Sequence, residues 1–364
     1  MTPENLYIHV PFCNGKCDYC AFYSEPEVNQ NAAELWLKKI KSDLKHHELS
    51  IPLKTVYLGG GTPTALPPVI LGKLMDFLQT LPLSSDVEIT SECNPGSLTP
   101  EKAAILSGTI NRVSMGVQTF HPELLKKIGR RTQPEQVIRT IELLRNISGV
   151  QRLGMDLICA LPGQTMQQWN DDLKTAISFQ PEHISAYMLI PEPGTPFTEK
   201  YGENPPLSED LQAEMWEFAG DFLNAHGMPR YEISNHAIPG GECRHNQNVW
   251  HGKTYLGLGP SACSFDGKDR FTNVSPLSEW LKGTPPEIDE VSRETREREV
   301  FMMGLRTVRG WTESEFNWQK FLPELSLLES DGLIKITKNA VKPTEQGLLC
   351  WDAIAETLIQ EKES

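Results

Sequence analysis

The chain has 364 residues, 39% of them hydrophobic and 23% charged, with a formal net charge of −14. That balance excludes wholesale disorder and argues against nonspecific attachment to nucleic acid or to an anionic membrane. No apolar run is long enough to span a bilayer, and a chain of this size predicts a large domain plus a smaller one.

The N-terminus, MTPENLYIHVPFC, lacks the basic n-region and long apolar stretch of a secretory signal. A cytoplasmic location is expected, where the eight cysteines are reduced thiols or metal ligands rather than disulfides.

Six β-rich runs follow in series: LYIHV (6–10), TVYLGGG (55–61), VEITSEC (87–93), RVSMGVQ (112–118), RLGMDLICAL (152–161) and HISAYMLI (183–190). Helical spacing of Ala33, Leu37, Ile40 and Leu44 separates the first two. Val137, Ile141 and Leu144 repeat likewise after Pro134, a helix-start position, and TMQQWNDDLKTAISF reads as a helix before the sixth run. Such β-α units imply a parallel sheet, open or barrel-like, with helices outside. The polar and glycine groups GGGTP, ECNPG and VQTF sit at strand C-terminal ends, where a barrel gathers its chemistry.

Beyond about residue 200 the pattern changes. A proline-containing loop leads to a helix near 208–226, and a glycine-rich stretch spans 239–267. KGTPPEIDEVSRETRERE reads as a linker opening another helix. The tail then predicts helix, two short strands and helix, an order that suits a winged-helix-like module. The acidic balance favours a structural or protein-contact role for it over DNA binding.

Cys13, Cys17 and Cys20 stand at C-x3-C-x2-C spacing just after the first strand. Structural zinc takes four ligands, and no second CxxC pair supplies the fourth. A [4Fe–4S] cluster held by three thiolates keeps one iron open. S-adenosylmethionine (SAM) suits that iron, chelating through its amino and carboxylate groups, and reductive cleavage of its sulfonium yields a 5′-deoxyadenosyl radical. This spacing is the radical SAM signature; zinc or chance spacing is the alternative. Gly59, Gly60 and Gly61 before Thr62 let backbone approach a ligand closely. Glu92, Gln118, Arg130 and Asp156 lie at or beyond successive strand ends. There they either contact SAM or form ordinary surface groups and ion pairs.

Together LYIHVPFCNGKCDYCAF, YLGGGTPT, ECNPG, RVSMGVQTF, IGRR, DLICALPGQT, YEISNHA, CRHNQNVW and YLGLGPSA resemble the oxygen-independent coproporphyrinogen oxidase group of radical SAM proteins. The resemblance covers nearly the whole chain. It implies an α/β fold, a partial (β/α)6 TIM-like radical SAM barrel with a smaller α+β, winged-helix-like C-terminal region. Barrel and adjoining helix are expected over 1–230, a glycine-rich connecting and haem-contact region over 231–290, and the C-terminal module over 291–364. Carried over position by position, it makes Cys13, Cys17 and Cys20 the cluster ligands. Tyr7, Tyr19, Gly60, Gly61, Thr62, Glu92, Gln118, Arg130 and Asp156 match SAM-contacting positions.

The dehydrogenase branch of that group typically continues CxxxCxxCxC after an N-terminal extension. Here Phe22 occupies the last cysteine position and twelve residues precede Cys13, which resembles the HemW-type haem-chaperone branch. That branch carries an HNxxYW segment. HNQNVW matches it at His245, Asn246 and Trp250, with Val249 in place of tyrosine. His245 is thus a candidate axial haem ligand and Trp250 a candidate wall for the macrocycle, against the bland reading of a core histidine. Cys263 stands where relatives usually have histidine and is either an alternative thiolate ligand or a small core residue. A Cys243-x-His245 contact is a further candidate.

The resemblance implies haem as cargo and haem-acceptor proteins as partners, the candidates being respiratory membrane enzymes met by transient docking. An electron donor such as flavodoxin or ferredoxin is also expected, and no nucleic acid. Two enzymatic alternatives stay open: coproporphyrinogen III dehydrogenase, and a radical SAM enzyme acting on another substrate.

Overall fold

The computed structural model describes residues 2–146 and 150–359. Strands and helices alternate through the first half of the chain. They are β1 (Asn5–Val10), α1 (Gln30–Leu44), β2 (Leu53–Gly60), α2 (Pro68–Gln79), β3 (Leu83–Cys93) and α3 (Pro100–Leu106). Next come β4 (Arg112–Gln118), α4 (Pro122–Lys127), α5 (Pro134–Arg145), β5 (Arg152–Cys159), α6 (Met166–Ser178) and β6 (His183–Met188). Each strand pairs in parallel with the next, so sheet order follows chain order, as the alternating pattern predicts.

Local chemistry marks the helix starts. Asn29 caps α1 by accepting the N–H groups of Asn31 and Ala32, and Thr165 with Gln168 forms a capping box on α6. Proline occupies a first-turn position in α2, α3, α4 and α5, where its missing N–H costs nothing.

The two faces of the sheet differ in kind. Leu6, Ile8, Val56, Leu58, Val113, Met115, Leu153, Met155 and Ile184 point outward and are buried beneath the helices. Their alternates Asn5, Tyr7, His9, Thr55, Tyr57, Glu88, Glu92, Arg112, Ser114, Asp156, His183 and Ser185 share the concave face by the two-residue period of a strand. A polar interior is unlike the packed apolar filling of a closed barrel. It is a lined chamber.

Past β6 come α7 (Pro196–Tyr201), α8 (Glu209–Ala225), β7 (Asn235–Ala237), α9 (Arg244–Trp250), β8 (Tyr255–Leu258), β9 (Cys263–Phe265), β10 (Arg270–Thr272), α10 (Leu277–Lys282) and β11 (Glu287–Asp289). β7 adds antiparallel to β6, whereas β8 lies parallel to β1 and opens the β9, β10 and β11 meander. Among the described residues β1 and β6 do not pair, so the barrel is partial. The glycine-rich stretch therefore holds a helix and strands, and the expected linker holds β11.

The remaining elements are α11 (Arg293–Gly304), β12 (Trp311–Thr312), α12 (Leu322–Ser330), β13 (Ile334–Ile336), β14 (Ala340–Pro343), α13 (Glu345–Leu349) and α14 (Trp351–Ile359). They enclose a second core around Phe301, Trp311, Phe321, Leu325 and Ile354. The small sheet has three antiparallel strands rather than two. The expected last helix is split at Cys350, whose backbone leaves helical geometry. Residues 360–364 of the expected module lie outside the described residues.

Candidate functional site

Cys13, Cys17 and Cys20 occupy the loop between β1 and α1, and all three are half-buried. Backbone bonds clamp the loop: Cys13 N–H donates to Glu25 O at 3.1 Å, Asp18 N–H to Ile128 O at 3.1 Å, and Phe197 N–H to Asp18 O at 2.9 Å. Beneath it Leu124, Ile128, Ile158, Leu161, Leu189 and Phe197 form a small apolar core against Tyr19. Among the described residues no three His, Cys, Asp or Glu side chains converge as ligands of one ion. A cluster makes no such demand, because each cysteine binds a different iron.

The surrounding groups fit an anionic cluster and a SAM carboxylate. Arg130 Nη1 donates to Cys17 Sγ at 3.5 Å and Nη2 donates to Gly116 O. Its Nε is buried with no partner among the described residues, a spare donor beside a thiol. Thr62 Oγ1 lies 3.3 Å from Cys13 Sγ. Burial raises the Cys20 thiol above its usual range, so metal binding there displaces a proton.

The glycines leave open what side chains would fill. Gly60 has φ +100°, a backbone that favours glycine, and a Cβ there would enter the His9 ring. A Cβ on Gly61 would meet the Val10 and Phe12 carbonyls. Gly60 N–H donates to Glu92 Oε2 at 3.2 Å, and Tyr57 Oη donates to Glu92 Oε1 at 3.0 Å. Burial, with the Asp156 charge added, pushes the Glu92 carboxyl up to about 7. Asp156 is itself raised by burial and accepts from Ser185 Oγ at 2.7 Å and Ser114 Oγ at 3.1 Å. Gln118, at φ +72°, accepts the Tyr187 hydroxyl at 3.0 Å.

Helix α9 closes the chamber from below. Glu88, fully buried, accepts the backbone N–H of Arg244 at 3.1 Å and of His245 at 2.9 Å, and pairs with Arg152 Nη1 at 2.9 Å. The His245 ring lies 5.2 Å from the Tyr57 ring, and its Nδ1 is 2.7 Å from Thr55 Oγ1. Burial, against the pull of Glu88, pushes its imidazole down to about 4, so the ring is neutral at pH 7. Cys243, at the helix N-cap, is buried with Sγ 3.8 Å from Glu88 Oε1, packed against the chamber's polar layer.

One cavity of about 550 Å³ lies between Gly60 and Glu92 of the barrel and helix α9. Tyr7, Gly60 and Glu92 line one side, while His245, Trp250 and Cys263 line another, with Val249 and the exposed Phe22 between them. Cys13, Cys17, Cys20, Tyr19, Gly61, Thr62, Gln118, Arg130 and Asp156 lie outside this cavity's lining. Cys263 is half-buried and receives the Tyr255 hydroxyl at 3.6 Å. Sequence reasoning missed His9, Thr55, Tyr57, Glu88 and Tyr187. Strand alternation was the available signal, since Thr55 and Tyr57 share a face with Gly59.

The sequence matches the Radical SAM superfamily over residues 7–176 and the HemN C-terminal domain over residues 291–350. It is 35% identical over 381 residues to heme chaperone HemW of Bacillus subtilis (strain 168), covering 98% of this chain and 100% of that one. With heme chaperone HemW of Escherichia coli (strain K12) it shares 33% identity over 339 residues, 91% of this chain and 84% of the relative. Coproporphyrinogen III oxidase (HemN) from Escherichia coli, a radical SAM enzyme, superposes with a TM-score of 0.84 at 22% identity. That match spans 99% of this chain and 90% of the other, and it establishes a shared fold alone. Superfamily membership implies a [4Fe–4S] cluster and SAM. By full-length identity and by both matched segments, this chain belongs to the HemW haem-chaperone family of radical SAM proteins.

Proposed function

We propose that this protein captures haem in the cavity between the barrel and α9 and passes it to an acceptor protein. The observation that carries the reading is the shared lining. A neutral buried imidazole (His245), a flat apolar side chain (Trp250) and the SAM-position residues Tyr7, Gly60 and Glu92 all face one space. Histidine is a common axial ligand of haem iron, and a macrocycle gains affinity from apolar walls. The relatives are named heme chaperones.

In this reading Cys13, Cys17 and Cys20 hold the cluster, while Tyr7, Tyr19, Gly60, Gly61, Thr62, Glu92, Gln118, Arg130 and Asp156 hold SAM. Bound there, the two supply one-electron reductive chemistry. Arg130 offers its spare Nε–H to an anion, and Glu92 offers a carboxylate to ammonium or ribose hydroxyls. Ser114 and Ser185 hold Asp156 in place, and Tyr187 holds Gln118. A flavodoxin or ferredoxin serves as electron donor. Acceptors in respiratory membranes would be met by docking, since no helix among the described residues is long and apolar enough to cross a bilayer.

The test uses anaerobically reconstituted protein. Haem is titrated first; coproporphyrinogen III, SAM and a reductant are then added and porphyrins assayed. Stoichiometric haem binding without decarboxylated product is expected. Turnover to protoporphyrinogen IX would make the chain a biosynthetic dehydrogenase instead.

A further inference from the structure

The inner layer of the barrel decides which nitrogen of His245 carries its proton. Asn5 Nδ2 donates to the Thr254 carbonyl at 2.9 Å, which orients the amide, since a flip would set two carbonyl oxygens against each other. Asn5 Oδ1 is therefore an acceptor, and it faces Thr55 Oγ1 at 2.9 Å and Asn248 Nδ2 at 2.8 Å. A threonine hydroxyl has one proton, and here it goes to Asn5. Facing His245 Nδ1 at 2.7 Å, Thr55 Oγ1 can only accept. The proton on the neutral imidazole thus sits on Nδ1. Nε2 keeps its lone pair, has no hydrogen-bond partner among the described residues, and belongs to a side chain that lines the cavity.

Rigidity follows from burial. Asn5 and Thr55 are fully buried, His245 is 6% exposed, and its backbone is tied to Glu88. Asn5 and Thr55 come from two adjacent parallel strands, so their relative position is set by the β1–β2 register rather than by a loop.

We propose that Thr55, oriented by Asn5, is a positioning residue that fixes His245 as the Nδ1–H tautomer and presents Nε2 to the cavity as the ligand of haem iron. This rests on the reading of His245 as a haem ligand. An acceptor behind a metal-bound imidazole sets its orientation and raises its basicity, and losing such a partner typically costs about 10–100-fold in affinity.

The experiment compares wild type, Thr55→Val, Thr55→Ser and His245→Ala as full-length reconstituted proteins titrated with haem. Thr55→Val keeps the shape and removes the acceptor. It should lower haem affinity about tenfold or more and weaken the iron–imidazole stretch of the ferrous complex in resonance Raman spectra, with Thr55→Ser restoring both. A general packing defect would lower affinity without moving that stretch. If His245→Ala loses the iron–imidazole signal while Thr55→Val matches wild type, the proposal fails and the ligand assignment stands. If His245→Ala leaves affinity and spectrum unchanged, both fail. Nitrogen-15 histidine spectra of the wild-type apoprotein need no variant at all: Nε2 should read as the unprotonated ring nitrogen, and the opposite tautomer overturns the proposal.

Discussion

Glu88 Oε1 accepts the backbone N–H of His245 at 2.9 Å, so a strand residue caps a helix 157 positions further along the chain. Burial works against this carboxylate, but Arg112, Arg152 and the two N–H groups outweigh it and hold its pKa below the usual range. Glu88→Ala takes the carboxylate away from Arg152, which among the described residues keeps only the Glu242 carbonyl at 3.3 Å, and leaves two helix N–H groups without their acceptor. The loss should cost about 3–5 kcal/mol. The pH sign follows from the depressed folded pKa. The stabilisation is full above the unfolded carboxyl value and is lost as pH falls through the lower folded value. Denaturant unfolding across the acid range should show Glu88→Gln with a shallower acid loss than wild type. Parallel curves would remove Glu88 from this role.

Glu92 shifts the other way, up to about 7, because burial and the Asp156 charge favour its proton. SAM presents ammonium and hydroxyl donors that prefer the ionised carboxylate. Affinity for SAM should therefore climb with pH, by up to roughly tenfold per unit below that value, and level off above it. Anaerobic equilibrium binding of SAM reads this directly, and Glu92→Gln should bind more weakly with a flat profile. A flat wild-type profile would place the SAM cation elsewhere.

Much of this site was legible in the sequence, and the illegible part has physical causes. The β-α alternation and the thiol loop are local signals, so their positions could be read directly. Helix α9 could not, because Cys243 at its N-cap offers no side-chain cap and the acceptor comes from β3. Cys263 and His245 reach one cavity only because β8 adds to the edge of β1, a pairing that no short-range pattern encodes. Thr55 and Tyr57 were hidden differently: they lie inside β2, ahead of the glycine motif that marks its end, and only the strand's alternation sets them on the inner face.

The thiols divide sharply by place. Cys13, Cys17 and Cys20 share one clamped loop, whereas Cys93, Cys159 and Cys243 are buried elsewhere. Alanine at any of the first three should abolish iron and sulfide incorporation on reconstitution. Alanine at Cys263 should leave incorporation intact, because that thiol lies on the cavity wall formed with Tyr255. Metal analysis and visible absorbance check this. Loss of the cluster in Cys263→Ala would reassign it as a cluster residue.

Arg306 joins the cavity wall to the C-terminal region. Its guanidinium carbon lies 5.3 Å from the Trp250 ring centre and 5.7 Å from that of Trp351, and Nε donates to Glu232 Oε2 at 2.9 Å. Glu232 is fully buried, and burial raises its pKa even with Arg306 beside it. Arg306→Met strands that carboxylate and should destabilise the protein by about 3 kcal/mol at neutral pH. The deficit should shrink toward acid pH, where Glu232 is protonated, since an unpaired buried carboxyl binds its proton more tightly when folded. Adding Glu232→Gln should recover about 1–3 kcal/mol of the loss. If Arg306→Met loses stability equally at all pH values and Glu232→Gln rescues nothing, the ion pair is not what ties Trp250 to the C-terminal region, and the stacking of Arg306 between the two tryptophans is left to do so.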